Sequence, residues 1–168
     1  MKVLLAIGLF GIWYSGQIAT PDSSPEAASM ASPAAVSACD GVDVYFETIE
    51  DLLSENKGYR AVQNNPAGTF GLPADQNRAI ASSLEALINE LDEIDSPAAA
   101  IPFHLALIDQ IGWYRDLVTA SDLTTHQRIV NRDKQLVPAM SRAMIAGQSA
   151  CGYETWIDAY DRAFGDTP

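Results

Sequence analysis

Chemically reactive side chains are scarce in this 168-residue chain, which has two histidines, His104 and His126, and two cysteines, Cys39 and Cys151. Neither histidine belongs to an H-E-x-x-H or E-x-x-H pattern, the spacings by which helices present metal ligands on one face. In a helical hairpin turning near Asp122 the two would also lie about 22 Å apart along the axis, too far to share an ion. The cysteines form no C-x-x-C-H haem signature, and the chain has neither a G-x-S-x-G nucleophile turn nor a phosphate-cradling Walker loop. These absences predict no metal centre, no cofactor and no catalytic residue of a familiar kind.

Positive charge is scarce as well. Ten Lys+Arg stand against 22 Asp+Glu, for a formal net charge of −12. A phosphate backbone or an anionic lipid surface repels such a chain, and no Lys/Arg cluster stands out to override it, so no nucleic-acid partner is expected. Most of this acidity serves solubility.

Long apolar runs are absent except at the front, where Lys2 is followed by Val3 to Trp13, a polar stretch Tyr14-Ser15-Gly16-Gln17, and Ile18-Ala19. Met1 to Ala19 thus reads as an export signal, its apolar run short for a bilayer span. Gln17 occupies a position where a cut after Ala19 prefers a small residue. A retained anchor over Val3 to Ile18 therefore competes with cleavage, and a buried core segment is the third reading. The anchor would be the only expected contact with a membrane. Residues 20–38 are dominated by Ala, Ser and Pro, too poor in large apolar groups to offset their ordering entropy, and read as a flexible tether. The remaining 39–168 suffice for one core and are too few for two ordinary domains.

In an exported chain the two cysteines are expected to bond to each other. Val36-Ser37-Ala38-Cys39 resembles the four-residue box before the lipid-modified cysteine of bacterial lipoproteins. Such a box abuts the apolar run, whereas some two dozen residues intervene here, so the disulfide is the preferred reading.

The periodicity of the rest is helical. A first helix is expected from Asp40, as N-cap, to about Asn56, with Gly58 as its stop and Val42, Tyr45, Phe46, Ile49, Leu52 and Leu53 on one face. Ala74 to Ile94 carries Ile80, Leu84, Leu87, Ile88, Leu91 and Ile94. The third helix ends near Ala120 with Leu105, Ile108, Ile111, Leu117 and Val118 on its stripe, and Pro102 places its regular part after itself. The fourth runs from about Thr124 to Gln148, opened by a Thr124/Gln127 capping box and kinked at Pro138, with Ile129, Val130, Leu136, Val137, Met140 and Met144 inward. Tyr153 to Phe164 forms a short fifth helix, its aromatic stripe a lid on the core.

These elements predict an all-α fold, an antiparallel up-down-up-down four-helix bundle with a short fifth C-terminal helix. In that topology the start of the first helix and the end of the fourth share one end of the bundle, where Cys39 and Cys151 stand. Asp133 breaks the apolar seam of the fourth helix, seven residues after His126 and opposite Arg115 across the hairpin. Arg115, His126 and Asp133 read as an interior ion-pair cluster or, alternatively, the lining of a small ligand pocket. The long connection Lys57 to Pro73 sets Phe70 and Leu72 beside glycines, either folded over the core or offered to a partner. The functional expectation is an exported, non-enzymatic protein that binds a partner protein or small ligand outside the cytoplasm. The alternative is a small secreted enzyme with a pocket around Arg115, His126 and Asp133.

Overall fold

A computed structural model describes residues 38–63, 69 and 71–165, less the side chain of Asp133. The leader, nearly all of the tether, and Phe70 lie outside the described residues. Among those described, every regular element is a helix: α1 Val42–Glu55, α2 Lys57–Gln63, α3 Ala74–Asp92, α4 Ile101–Thr119, α5 Leu123–Cys151 and α6 Tyr153–Phe164. α4 packs against both α3 and α5, and α6 lies against α1 and the end of α5.

The helix ends show where local chemistry departs from the sequence expectations. Gly41, not Asp40, caps α1, in the left-handed conformation at φ 79° and with no side-chain cap. The segment expected as loop from Lys57 begins with a helix. Asn56 leaves α1 in an extended conformation, and its Oδ1 then accepts from the Tyr59 amide at 2.9 Å, starting α2. The same Oδ1 accepts from Ser83 Oγ on α3 at 3.0 Å, and Asn56 Nδ2 donates to the Ser83 carbonyl at 2.9 Å. Gly58, expected as a helix stop, lies inside α2 and donates its amide to Ser83 Oγ at 3.1 Å. This clasp fixes the α1–α2 corner on α3.

Pro102 sits in the first turn of α4, where its missing N–H had no helical partner to lose, so the helix begins one residue before it. α5 is capped by Asp122 instead of the expected Thr124. Its carboxylate accepts from the Thr125 amide and from Thr125 Oγ1, each at 2.9 Å, and these bonds hold the Asp122 carboxyl below its ordinary range. α5 then continues as one helix through Pro138 to Cys151. Gly152 joins α5 to α6 at φ 81°, a backbone region that costs a side-chain-bearing residue dearly.

The core centres on the fully buried Phe46 of α1. Its ring meets Trp156 at 4.9 Å, Phe103 at 5.4 Å and Tyr160 at 5.5 Å, all edge-on, the arrangement in which a ring's positive edge faces another's negative face. The aromatic stripe of α6 is thus core, apart from the exposed Tyr153. Leu84, Leu87 and Leu91 from α3, with Leu107 and Ile111 from α4, extend the same interior. Trp113 Nε1 donates to the Ile129 carbonyl at 2.6 Å and joins α4 to α5.

Cys39 and Cys151 are bonded, with Cα atoms 5.4 Å apart, and close a separation of 112 residues. Nearby, the Ala99 amide donates to the Ala38 carbonyl at 3.0 Å. The start of α1, the turn before α4 and the end of α5 therefore meet at one end of the molecule. The disulfide is consistent with an oxidising, extracytoplasmic setting, and no helix among the described residues is long and apolar enough to cross a membrane.

Candidate functional site

Polar or exposed apolar side chains gather at three places, the first of them around Arg115. Arg115 sits on the side of α4 toward α3, where its guanidinium donates to Glu85 at 2.7 Å and to its neighbour Asp116 at 3.0 Å. These two hydrogen bonds, Glu85 first, raise the Arg115 pKa further above its ordinary value. Arg132 of α5 approaches Asp116 at 3.5 Å and Asp109 at 3.7 Å. The result is a half-exposed ladder of alternating charge over α3, α4 and α5, where pairs contribute little individually because water screens them. His126 is buried in the first turn of α5. The Asp133 side chain lies outside the described residues, so the three-residue cluster cannot be assembled from the structure. Arg115 is committed to two carboxylates.

The second place lies at the other end of α4. The Tyr45 hydroxyl stands 3.1 Å from His104 Nδ1, joining α1 to α4 across the core. Burial lowers the His104 pKa, and the charge of Asp92 and a hydrogen bond with the Leu91 backbone partly oppose it. Burial also pushes Tyr45 well above its ordinary range, partly offset by Ser96. The phenol stays protonated, and the imidazole tautomer sets which of the two groups donates. Beside this pair opens a shallow hollow of about 400 Å³, lined by Asp40, Val44, Tyr45, Ile94, Asp95 and Ser96 among others. Two carboxylates among apolar groups supply no cation to hold an anion. The imidazole is engaged by Tyr45 and by the Leu91 backbone. Sequence pattern could not find the pair, because Tyr45 and His104 are 59 residues apart.

The third place is the outer surface of α5. Val130 and Val137 were expected inward, yet they are 41% and 59% exposed, as are Leu123 at 57% and Ile145 at 60%. At 100° per residue these four fall within about 80° of one another, in a row about 33 Å long. The buried side of α5 lies elsewhere, at Met140, Ala143 and Gly147. Leu105 of α4, also expected on a core stripe, is 60% exposed, and Phe103 and Leu107 are buried instead, alongside the expected Ile111, Leu117 and Val118. Leu72 is exposed just before α3, as a partner-facing residue would be; its companion Phe70 lies outside the described residues.

α5 is also the basic part of an acidic protein. It holds Arg128, Arg132, Lys134 and Arg142, four of the ten cationic side chains, against Asp133 alone of the 22 acids. That concentration qualifies the expectation that no Lys/Arg cluster stands out. Among the described residues, only Arg132 of these four is drawn into an ion pair.

Comparison with known proteins finds no matching family model, no matching curated protein and no matching solved structure. The functional reading therefore rests on these side chains.

Proposed function

We propose that the chain is an exported, non-enzymatic helical-bundle protein that binds a partner protein outside the cytoplasm through the outer face of α5. In this reading α1, α3, α4 and α5 form an antiparallel up-down-up-down bundle. The short α3–α4 and α4–α5 connections and the bond between the start of α1 and the end of α5 support that arrangement. Residues 1–19 act as export signal or anchor and 20–38 as the tether that holds the bundle away from the cell surface.

One observation carries the binding assignment: the exposed row Leu123, Val130, Val137 and Ile145. The four stand about 10–12 Å apart along one side of α5, with the exposed Gln127, Lys134 and Ser141 between them, and their alignment on one face sets them apart from apolar side chains scattered singly. Phe70 and Leu72 would add a smaller contact. The enzyme alternative gains nothing comparable, since Arg115 is engaged by Glu85 and Asp116.

The test is a photoreactive residue placed at position 137, and in a control at position 90, in cells that make the protein. A discrete adduct with another protein outside the cytoplasm, formed from 137 and not from 90, is expected. Equal or absent labelling from both positions rejects the reading.

A further inference from the structure

We infer that the partner of α5 is an acidic amphipathic helix that lies lengthwise along it, its apolar row against Leu123, Val130, Val137 and Ile145 and its carboxylates against Lys134 and Arg142. The inference rests on the reading of α5 as a binding face and adds the chemistry of what binds there. Its first support is geometric. Exposed apolar residues at 123, 130, 137 and 145 are separated by seven, seven and eight positions, so they occupy every second place of a seam that repeats each 3.5 residues, with Gln127, Lys134 and Ser141 in the places between. A globular surface would meet only part of so long and narrow a row.

Charge selects among occupants. Lys134 falls within the apolar angular range and Arg142 beside it, and both are exposed. In an antiparallel pairing of two copies through the middle of the row, Lys134 of each chain would face Lys134 of the other. An isologous dimer therefore brings like charges together where the contact should be driest. The apolar leader of this same chain carries Lys2 and no acid, so it offers no complement. An anionic bilayer would attract the α5 cations, but so broad a surface also meets the acidic remainder of a chain of net charge −12, whereas a single docked helix lies within a Debye length of the local cations. The row also lacks the Trp and Phe with which interfacial helices insert. A helix with glutamates flanking an apolar row satisfies both the cations and the exposed aliphatic groups.

Pro138 adds a polar detail to the same face. It is exposed and interior to α5, and its missing N–H removes the ordinary helical donor to the Lys134 carbonyl. A donor side chain on the docked helix can replace it.

The experiment uses the full chain with its disulfide formed. Two synthetic helical peptides of about 22 residues, enough to cover the row, carry the same leucine seam with either glutamate or lysine at the flanking positions. Phosphatidylglycerol vesicles are the third probe. The glutamate peptide is expected to bind and to weaken as salt rises. Val130→Ser with Val137→Ser should weaken it about tenfold or more, because a few apolar anchors dominate such contacts. These changes lie on the surface and should leave the fold intact, which circular dichroism checks. Lys134→Glu with Arg142→Glu should lose the glutamate peptide and gain the lysine peptide.

Binding both peptides alike, or glutamate-peptide binding unaffected by either double variant, overturns the inference. So does residue-dependent cosedimentation with vesicles in place of peptide binding. A wild-type dimer in analytical ultracentrifugation that Val130→Ser with Val137→Ser dissociates would assign the face to a second copy and overturn it as well. An adduct at position 137 combined with failure of the glutamate peptide would sink the partner chemistry alone. Failure of the adduct would sink the binding face itself.

Discussion

Gly147→Ala should destabilise the protein, although the same change in an exposed helix stabilises by about 1 kcal/mol through helix propensity. Gly147 lies on the buried side of α5 under the benzo ring of Trp156. A Cβ at 147 would overlap three atoms of that ring, far inside van der Waals contact. The indole cannot simply swing away. Trp156 is fully buried, with Phe46 at 4.9 Å and Phe103 at 6.3 Å packed against it. Its own chain returns through Gly152 into a helix docked on α1, so relief requires α6 to shift. Overpacking of this kind costs about 1–3 kcal/mol and sometimes more. With the overlap spread over three ring atoms, the upper part of that range applies. Subtracting the propensity gain leaves a net loss of about 2 kcal/mol, or roughly 5–10 °C in Tm for a domain of this size.

Urea unfolding with the disulfide intact measures the loss as a lower midpoint at unchanged slope. The companion experiment introduces Trp156→Leu, which removes the ring and leaves a void. In that background Gly147→Ala should become stabilising by about 1 kcal/mol, since the methyl then meets space and the helix gains. An unchanged or higher midpoint for Gly147→Ala in the wild-type background would refute the reasoning, because nothing else in the contact offsets the propensity term.

Cys39→Ser should lower the Tm under oxidising conditions and change little in reductant, since a 112-residue closure stabilises by up to roughly 4.7 kcal/mol in the chain-entropy model. Two free thiols in denatured, unreduced protein would contradict it. His104 is neutral and buried, with its pKa below the ordinary 6.5, so its unfolded form takes up a proton first as pH falls. Stability should therefore be complete above about pH 6.5 and decline below it. His104→Gln should flatten that slope in thermal melts from pH 7.5 to 5, and an equally steep slope in the variant would exclude His104 as its source. Arg115→Met should cost less than about 1 kcal/mol, because its partners Glu85 and Asp116 are half-exposed and solvated. A loss of several kcal/mol in urea unfolding would instead indicate a buried role.

The helices were legible wherever apolar spacing or a strong breaker marked them. α6 begins and ends at Tyr153 and Phe164, as its aromatic spacing indicates, and α3 starts at Ala74 immediately after Pro73. The pairing of Cys39 with Cys151 could be argued because two cysteines in one chain leave one intramolecular choice. α2 was not legible. Its seven residues are too few to show a period, and what stabilises it is Asn56 held by Ser83, a partner 27 residues away. The capping of α5 was misplaced for a local reason: Thr124 with Gln127 fits one pattern and Asp122 with Thr125 another, and a carboxylate at the positive end of the helix dipole prevails.

The proposed binding face illustrates a deeper limit of pattern. On α5 the apolar residues occupy a span wider than one neighbour can cover, so their periodicity fixes their angles around the axis and not which angle faces the core. Ile129 and Leu136 lie half-buried, whereas Val130 and Val137, one residue further on in each case, are exposed. That step of about 100° separates a packed side chain from one open to solvent. What decides between them is the placement of α4 and α6 against α5, through Trp113 bonded to Ile129 and Trp156 pressed on Gly147. Both anchors are tertiary. Once they set the rotation of α5, the second apolar row must turn outward, and the cations that flank it turn outward with it. The surplus width of the hydrophobic arc, read as core in one dimension, becomes in three the feature that distinguishes this surface from the acidic remainder of the protein.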